Sequence, residues 1–154
     1  MILTIYNNMI SYFQKFTATI NKWIGKKVDY DNAFWNQCTD FARKYCSDVG
    51  RPIWNFSGSA YNWWKTGSPF NSKWKRVQRQ GNNFPSAWDV VFFVPTPKNK
   101  YGHVTIANNN CTESILNIIE QNAGSGNWDW KGNNAISKRT TNYSLCAGWY
   151  TYIW

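Results

Sequence analysis

The sequence predicts an α+β fold in which N-terminal helices pack on an antiparallel β-sheet. Apolar residues recur at helical spacing in the first part of the chain. From residue 88 onward, short runs of branched and aromatic residues are separated by turn-forming residues, as in successive strands. Helices followed by strands are typical of this fold class. The length of 154 residues suits one domain, which we expect to cover residues 1–154.

The helices are predicted from apolar periodicity and from the residues that end them. An amphipathic helix is expected over roughly residues 4–24, and a glycine ends it. A second helix is expected from Gln37–Cys38 to residue 49, where a glycine and a proline follow. Residues 51–86 are rich in Gly, Pro, Ser, Asn and Trp, so we expect mostly loop there, with a short helix near residues 59–65.

Five strands are predicted in the second half of the chain. They are expected over residues 88–94, 103–107, 115–121, 136–141 and 146–152. A loop is expected over residues 124–134. His103 and Thr105 would share one face of their strand while Val104 takes the other, so we expect the imidazole to point away from the core.

The charge balance favours an anionic partner. The chain has 17 Lys and Arg against 8 Asp and Glu, a formal net charge of +9. Nucleic acid, an anionic membrane and the phosphate-rich wall of Gram-positive bacteria would all attract it, whereas a solvated basic surface needs no partner. The sequence has no recognised nucleic-acid-binding motif and no run of about 18 apolar residues. We therefore expect neither a nucleic-acid partner nor a membrane span.

A single histidine restricts the chemistry that the chain can carry out. A Cys/His metal cage is nearly excluded, and a cysteine hydrolase would have to use His103 as its base. Cys38 is predicted at a helix N-terminus, where main-chain N–H groups and the macrodipole favour a thiolate and could hold an oxyanion. Alternatively, His103 is only structural and Cys38 is a small buried side chain. We expect free thiols at Cys46, Cys111 and Cys146.

Glu120 is the candidate for the third group, which would orient the imidazole. It lies in an apolar strand, where a carboxylate is unfavourable unless it is paired. Glu120 and Asn122 are two residues apart, so both side chains would leave one face and could reach His103 from a neighbouring strand. The alternative is that Glu120 is an edge-strand charge that opposes aggregation.

Three aspartates lie in and after the polar segment that precedes the second helix. With Asp29 counted as position 1, Asp31 and Asp40 fall at positions 3 and 12, the register of a calcium-binding EF-hand loop. Three crowded carboxylates should repel one another unless a cation lies between them, and hard oxygen ligands favour Ca²⁺. The loop is not a standard EF-hand, and Ala33 and Trp35 could supply only main-chain oxygens. The alternative is that Asp40 caps the start of the helix.

Four segments together resemble the CHAP domain, a family of cysteine, histidine-dependent amidohydrolases and peptidases. Residues 29–40 resemble its calcium loop and nucleophile segment, and residues 88–93 resemble its Gly-Asp-Val strand. Residues 101–107 resemble its histidine strand, and residues 119–122 resemble the strand that carries its acid. The order and separation of these segments fit the family over roughly residues 25–125.

The resemblance implies a papain-like fold of the CHAP and NlpC/P60 type, and cleavage of a peptidoglycan amide bond within the peptide or between glycan and peptide. It implies that Cys38 is the nucleophile, that His103 is its base and that Glu120 orients His103. It also implies that Asn122 completes the site. In our mechanistic hypothesis, the Gln37 side chain assists the Cys38 N–H in holding the oxyanion. The implied Ca²⁺ would be bound by Asp29, Asp31, Ala33, Trp35 and Asp40.

Two tryptophans depart from the family pattern. Trp35 stands where many relatives have glycine, and Trp88 stands where glycine usually precedes the aspartate. Both lie near the predicted groove, so we expect them to affect substrate choice. Other aromatic residues in this region, including Trp54, Trp63, Trp64 and Trp74, could stack on sugar rings or fill the core. A basic run could face wall phosphates or solvent: Lys73, Lys75, Arg76 and Arg79.

The expected function is therefore hydrolysis of peptidoglycan in Gram-positive walls during phage lysis or entry, with anionic wall polymers as further partners. The alternative is a catalytically silent wall-binding or phage tail module on the same fold. The N-terminus lacks the basic region and the apolar run of a signal peptide. We therefore expect synthesis in the host cytoplasm, followed by release through a holin or carriage on the virion.

Overall fold

The computed structural model describes residues 2–33, 37–54, 58–68, 70–122 and 134–153. Within them, helices are followed by strands, so the predicted α+β class is confirmed. The helices are α1 (Ile2–Trp23), α2 (Cys38–Asp48) and α3 (Ala60–Thr66). The strands are β1 (Trp74–Gln78), β2 (Val90–Phe93), β3 (His103–Ala107), β4 (Leu116–Glu120), β5 (Ser137–Thr141) and β6 (Cys146–Tyr152).

The C-terminal half of α1 attaches this helix to the rest of the fold. Phe16 and Ile20, one helical turn apart, are both buried. At the end of the helix, Trp23 Nε1 donates a hydrogen bond to Asp48 Oδ2 of α2 across 2.8 Å. Within the described residues, no helix is both long and apolar enough to cross a membrane.

Helix α2 delivers Cys38 to the sheet because its apolar stripe packs on β3. Phe41, Tyr45 and Cys46 on this stripe are each at most 1% exposed and lie in one cluster with Val104 of β3. The four-residue spacing of Phe41, Tyr45 and Val49 is the helical period that predicted the element. The stripe therefore fixes how the first turn of α2 stands relative to the strand that carries His103.

The strands form one antiparallel sheet in the order β1-β6-β2-β3-β4-β5. All five predicted strands are present, with bounds that differ from the predicted ones by no more than two residues. The central position of β3 places β4 directly beside it, with Ile106 opposite Ile119 and Ala107 opposite Ile118. The neighbouring strands that the sequence argument required for His103 and Glu120 are therefore observed.

The short helix predicted near residues 59–65 is confirmed as α3, but β1 was not predicted and lies in the stretch that we expected to be mostly loop. Among its five residues only Trp74 is fully buried, so no apolar alternation indicates a strand. Instead, β1 forms because it pairs along its length with β6, from Trp74 opposite Tyr152 to Gln78 opposite Gly148. This pairing is a long-range contact that local composition does not encode.

Apolar clusters cover both faces of the central strands. Val104 and Ile106 of β3 join the cluster under the helices, whereas Ala107 joins a second cluster on the opposite face with residues such as Phe93 and Trp149. All five residues of β3 are consequently buried. The sequence placed the His103 imidazole away from the core, but His103 is buried, with only 4% of its surface exposed.

Candidate active site

Cys38 is the first residue of α2, as the sequence predicted, and its side chain is half-buried. Gln37 precedes it in an extended conformation (φ −89°, ψ 166°) and forms the N-cap. The Asp40 carboxylate accepts the Gln37 N–H across 2.8 Å, which fixes the entry of the chain into the helix. The first-turn N–H groups of a helix have no partner within the helix, so they can stabilise negative charge on the thiol or on a substrate oxygen.

His103 and Glu120 form a buried pair next to this helix end. His103 Nε2 lies 2.9 Å from Glu120 Oε2, and the two side chains are 5% and 0% exposed. The antiparallel pairing of β3 and β4 produces this contact, because both residues lie at the same end of the two strands. With Nε2 facing Glu120, Nδ1 is the ring nitrogen that can exchange a proton with Cys38.

Cys38 and His103 interact, although they are 65 residues apart in the chain. Burial by itself would lower the pKa of His103. The negative charge of Cys38 and a hydrogen bond with it, followed by the hydrogen bond and charge of Glu120, outweigh burial and raise this pKa to about 9. The imidazolium form of His103 is therefore favoured at neutral pH.

The other three thiols lie in less favourable surroundings for a thiolate. Burial raises the pKa of Cys46 to about 12 and that of Cys146 to about 11, and it also raises the pKa of Cys111. All four cysteines have free thiols. Among them, Cys38 is the one that a histidine accompanies.

Arg139 of β5 is a component of the site that the sequence argument did not identify. Its Nη2 donates to Glu120 Oε2 across 3.1 Å, and its Nε donates to Oε1. Burial opposes the ionisation of Glu120, but the hydrogen bonds from His103 and Arg139 prevail and lower the pKa of Glu120 below its ordinary value. A buried acid signals that a partner exists, yet only the β4–β5 register reveals that Arg139 is that second partner.

Gln121 is a second residue that the sequence argument left without a role. It is fully buried and directly follows Glu120. Its side chain makes hydrogen bonds to the main chain of Val28 and to the carbonyl of Gln37. The Gln121 side chain thus binds Val28 and Gln37, the two ends of the segment that precedes Cys38.

Asn122 lies just beyond the end of β4, where the strand alternation no longer holds. Its φ is 60°, a left-handed conformation that asparagine tolerates better than most residues. Among the described residues, no hydrogen bond joins its side chain to His103. Glu120 therefore carries the contact with the imidazole, and a part for Asn122 in the reaction stays a prediction.

The three predicted acidic ligands come together in space. Asp29, Asp31 and Asp40 each offer an oxygen, and these oxygens lie within 4.8 Å of one another. Burial, reinforced by the charges of Asp31 and Asp29, raises the pKa of Asp40 to about 7, although hydrogen bonds from main-chain N–H groups oppose the shift. Asp31 also accepts a hydrogen bond from Arg43 Nη1 at 2.6 Å and one from the Ala33 N–H at 3.0 Å.

The two remaining predicted contributors to these sites have different outcomes. Trp35 lies outside the described residues. Trp88 is half-buried, and its ring centroid lies 5.7 Å from that of Phe16 on α1 and 5.5 Å from the guanidinium carbon of Arg51. Its φ of 81° is in the left-handed region, which glycine adopts more readily than tryptophan. A part for Trp88 in substrate binding stays a prediction.

The other aromatic residues and the basic run divide between core and surface. Trp63, Trp64 and Trp74 are buried in the core, whereas Trp54 is 59% exposed. In the basic run, Lys73, Lys75 and Arg76 are exposed and Arg79 is half-buried. Arg76 nevertheless lies 4.0 Å above the ring of Trp64, so part of its side chain covers the core.

Comparison with known proteins identifies a family model and solved structures of similar fold. A family model described as the CHAP domain matches residues 28–122, more than half of the chain. Among solved structures, the endolysin LysIME-EF1 superposes with a TM-score of 0.73 at 19% identity, covering 91% of this chain and 65% of its own. Ly7917 superposes with a TM-score of 0.60 at 19% identity, covering 90% of this chain and 62% of its own.

A third solved structure carries the name of an enzymatic activity. This N-acetylmuramoyl-L-alanine amidase from Staphylococcus aureus has a TM-score of 0.50 at 21% identity, and covers 77% of this chain and 32% of its own. This chain thus spans less than two thirds of each of these three proteins. Among curated protein sequences, none matches it significantly.

Proposed function

Because this chain belongs to the CHAP domain family, we propose that it is a peptidoglycan hydrolase that cleaves an amide bond with Cys38 as the nucleophile. The observation that carries this proposal is the chain of contacts from Cys38 through His103 to Glu120. A thiol, a base and a group that orients the base are the components that covalent amide hydrolysis requires. Two of the similar structures are named an endolysin and an N-acetylmuramoyl-L-alanine amidase, which supports this substrate class.

In the proposed mechanism, the Cys38 thiolate attacks the amide carbonyl and forms a C–S bond. The Cys38 N–H, assisted by Gln37, stabilises the oxyanion of the tetrahedral intermediate. When the C–N bond breaks, the proton on His103 Nδ1 passes to the leaving amine. His103 then takes a proton from water, whose oxygen attacks the thioester, so that a carboxylate and the free thiol are released.

Glu120 and Arg139 support both steps without contacting the substrate. Glu120 stabilises the imidazolium that exists before the amine leaves and again during thioester hydrolysis. Arg139 keeps Glu120 ionised, because its two hydrogen bonds stabilise the carboxylate. Since the Glu120 carboxylate also fixes the orientation of the ring, Nδ1 stays directed towards Cys38.

Calcium is the proposed cofactor. Oxygen ligands around Ca²⁺ at 2.3–2.6 Å lie at most about 5 Å apart, and the spacing within 4.8 Å of the Asp29, Asp31 and Asp40 oxygens satisfies this limit. Main-chain oxygens of Ala33 and Trp35 are the further proposed ligands. A bound Ca²⁺ would compensate the three charges and hold the segment that leads into α2.

The proposed partner is the wall of Gram-positive bacteria, including its anionic polymers. The net charge of +9 supports electrostatic attraction to such polymers, with a strength that falls as salt rises. We further propose a role in phage lysis or entry, in which the chain is made in the host cytoplasm and reaches the wall through a holin or on the virion. One similar structure, LysIME-EF1, is named an endolysin, which supports this setting.

Release of new amino groups from purified Gram-positive walls tests the proposed function. Wild-type protein should release them and Cys38→Ala should not. Cys146→Ala should remain active because burial raises the pKa of its thiol to about 11, which disfavours a nucleophilic thiolate. Mass spectrometry of the fragments would identify the cleaved bond. If folded wild-type protein released no amino groups but still sedimented with walls, the catalytically silent binding module would replace the hydrolase.

A further inference from the structure

Gln121 uses the entire hydrogen-bonding capacity of its side-chain N–H groups on the main chain around the nucleophile. It is 0% exposed. Its Oε1 accepts the Val28 N–H at 2.6 Å, and its Nε2 donates to the Val28 carbonyl at 2.7 Å and to the Gln37 carbonyl at 2.7 Å. A side-chain amide has two N–H donors, so both are engaged and the amide is held in one orientation.

The contact with Gln37 restrains the peptide group that carries the Cys38 N–H. The Gln37 carbonyl and the Cys38 N–H belong to one planar trans peptide unit, in which they point in opposite directions. Gln121 holds the carbonyl, and Asp40 holds the N–H of Gln37 on the preceding peptide. The same carbonyl also accepts the Phe41 N–H of α2 at 3.5 Å. Rotation of this peptide plane would break both hydrogen bonds, so the direction of the Cys38 N–H is fixed.

Glu120 and Gln121 are adjacent in sequence, yet they hold different parts of the proposed site. Glu120 contacts the imidazole of His103, whereas Gln121 contacts the peptide that precedes Cys38. Successive side chains at the end of a strand point to opposite sides, which lets one short segment reach both. The relative placement of base and nucleophile therefore depends on two consecutive residues after Ile119.

We propose that Gln121 is a positioning residue that orients the Cys38 N–H for oxyanion stabilisation. This inference rests on the proposed hydrolase function, in which that N–H stabilises the tetrahedral intermediate. Loss of one oxyanion donor lowers kcat by about 10²–10³-fold in enzymes of this kind. Misorientation of the Cys38 N–H should therefore lower kcat by about 100-fold while leaving KM and the thiolate of Cys38 unchanged.

The test uses Gln121→Met, which preserves side-chain length but removes all three hydrogen bonds. Two rates are measured on the same protein: wall-amide hydrolysis, which needs oxyanion stabilisation, and alkylation of Cys38 by iodoacetamide, which does not. Mass spectrometry identifies the alkylated cysteine. Ile118→Val is the matched control, because Ile118 is fully buried on the same strand and lies in the cluster on the opposite face of the sheet. Circular dichroism and melting temperature verify folding.

Loss of turnover with unchanged alkylation in Gln121→Met, and near wild-type rates in Ile118→Val, would support the proposal. Equal loss of both rates would overturn it, since Gln121 would then hold the thiol–imidazole pair or the fold. Wild-type kcat in Gln121→Met would also overturn it. If Gln121→Met does not fold, Gln121→Glu, which retains an acceptor for the Val28 N–H, takes its place, and failure of both to fold makes Gln121 a folding residue instead. An inactive wild-type protein would overturn the proposed function itself.

Discussion

Arg139 donates two hydrogen bonds to the carboxylate of Glu120, one of them from Nη2 to Oε2 across 3.1 Å. Glu120 is fully buried, whereas the Arg139 side chain is 46% exposed. The guanidinium thus stabilises a buried carboxylate from the solvent side. Hydrogen bonds from His103 and Arg139 both lower the pKa of Glu120. The ionised state of Glu120 on β4 therefore depends on one residue from each flanking strand, His103 of β3 and Arg139 of β5.

Arg139→Met is expected to lower kcat/KM about fivefold at neutral pH. A hydrogen bond to a charged group contributes about 1.5–3 kcal/mol, and solvent around the half-exposed guanidinium reduces this to about 1 kcal/mol. Because the Glu120 pKa rises when the guanidinium is lost, activity should begin to fall at a higher pH as the medium is acidified. The pH profile of kcat/KM measures this shift.

Lys138→Met is the control for general loss of positive charge. Lys138 is exposed on the same strand, and in the described structure it makes no hydrogen bond to Glu120. Its profile should match that of the wild type. If the fall of kcat/KM at acidic pH shifted equally in both variants, net charge, and not the contact with Glu120, would determine that shift.

A single imidazole permits a direct measurement of the thiolate–imidazolium pair. In the wild type, the His103 resonances should titrate near pH 9, and in Cys38→Ala the pKa should be lower because the thiolate and its hydrogen bond are absent. The folded pKa exceeds the ordinary value of 6.5. This residue therefore contributes stability that is complete below pH 6.5 and is lost as pH rises through 9.

The same titration predicts how activity depends on alkaline pH. Hydrolysis should decline as pH rises through about 9, since His103 then lacks the proton that the leaving amine requires. Proton NMR of the imidazole and the pH profile of kcat/KM should give matching values. A wild-type pKa near 6.5 that Cys38→Ala leaves unchanged would contradict the interaction between the two side chains.

Much of the site could be predicted because scarcity and local pattern restricted the choices. One histidine and two glutamates leave few combinations, and the helix start at Cys38 is visible in the sequence. Arg139 and Gln121 could not be predicted in the same way. Their roles depend on which strands are neighbours and on where the strand end meets a distant carbonyl, and both are tertiary relationships.

The errors in the fold prediction have the same physical origin. β1 has almost no apolar alternation and exists through its pairing with β6. The burial of His103 was missed because alternation along β3 indicates two faces but not that apolar side chains cover both. The local sequence thus predicted those helices and strands whose own apolar residues pack in the core, and it missed a strand that depends on its pairing partner.

Calcium should stabilise the wild-type protein if the proposed site binds it. At a free calcium concentration of about 100 times Kd, binding adds about 2.7 kcal/mol, which raises Tm by roughly 5–10 °C for a chain of this size. Asp29→Asn should reduce this increase, because the exposed Asp29 carboxylate is a proposed ligand. Differential scanning calorimetry with calcium and with EGTA measures the effect.

Glu113→Gln serves as the control for the calcium experiment. Glu113 is an exposed acid outside the three-aspartate cluster, so its loss should leave the calcium-dependent increase in Tm intact. Equal melting temperatures of the wild type in calcium and in EGTA would contradict the proposed cofactor. In that case, Asp40 would serve the helix start alone through its hydrogen bond with Gln37.

Gly102 determines how the chain enters the strand that begins with His103. Its φ is 68°, and a Cβ at this position would lie 2.7 Å from the Phe93 carbonyl oxygen and 2.9 Å from Tyr61 Cβ. Gly102→Ala should therefore destabilise the fold by about 2–4 kcal/mol, from left-handed backbone strain together with overpacking.

Gly81→Ala provides the comparison, because Gly81 has a φ of 51° but a Cβ added there would meet no described atom within 4 Å. It should lose only about 1–2 kcal/mol from strain. Urea denaturation gives both values, and equal losses would show that close packing before His103 has no effect.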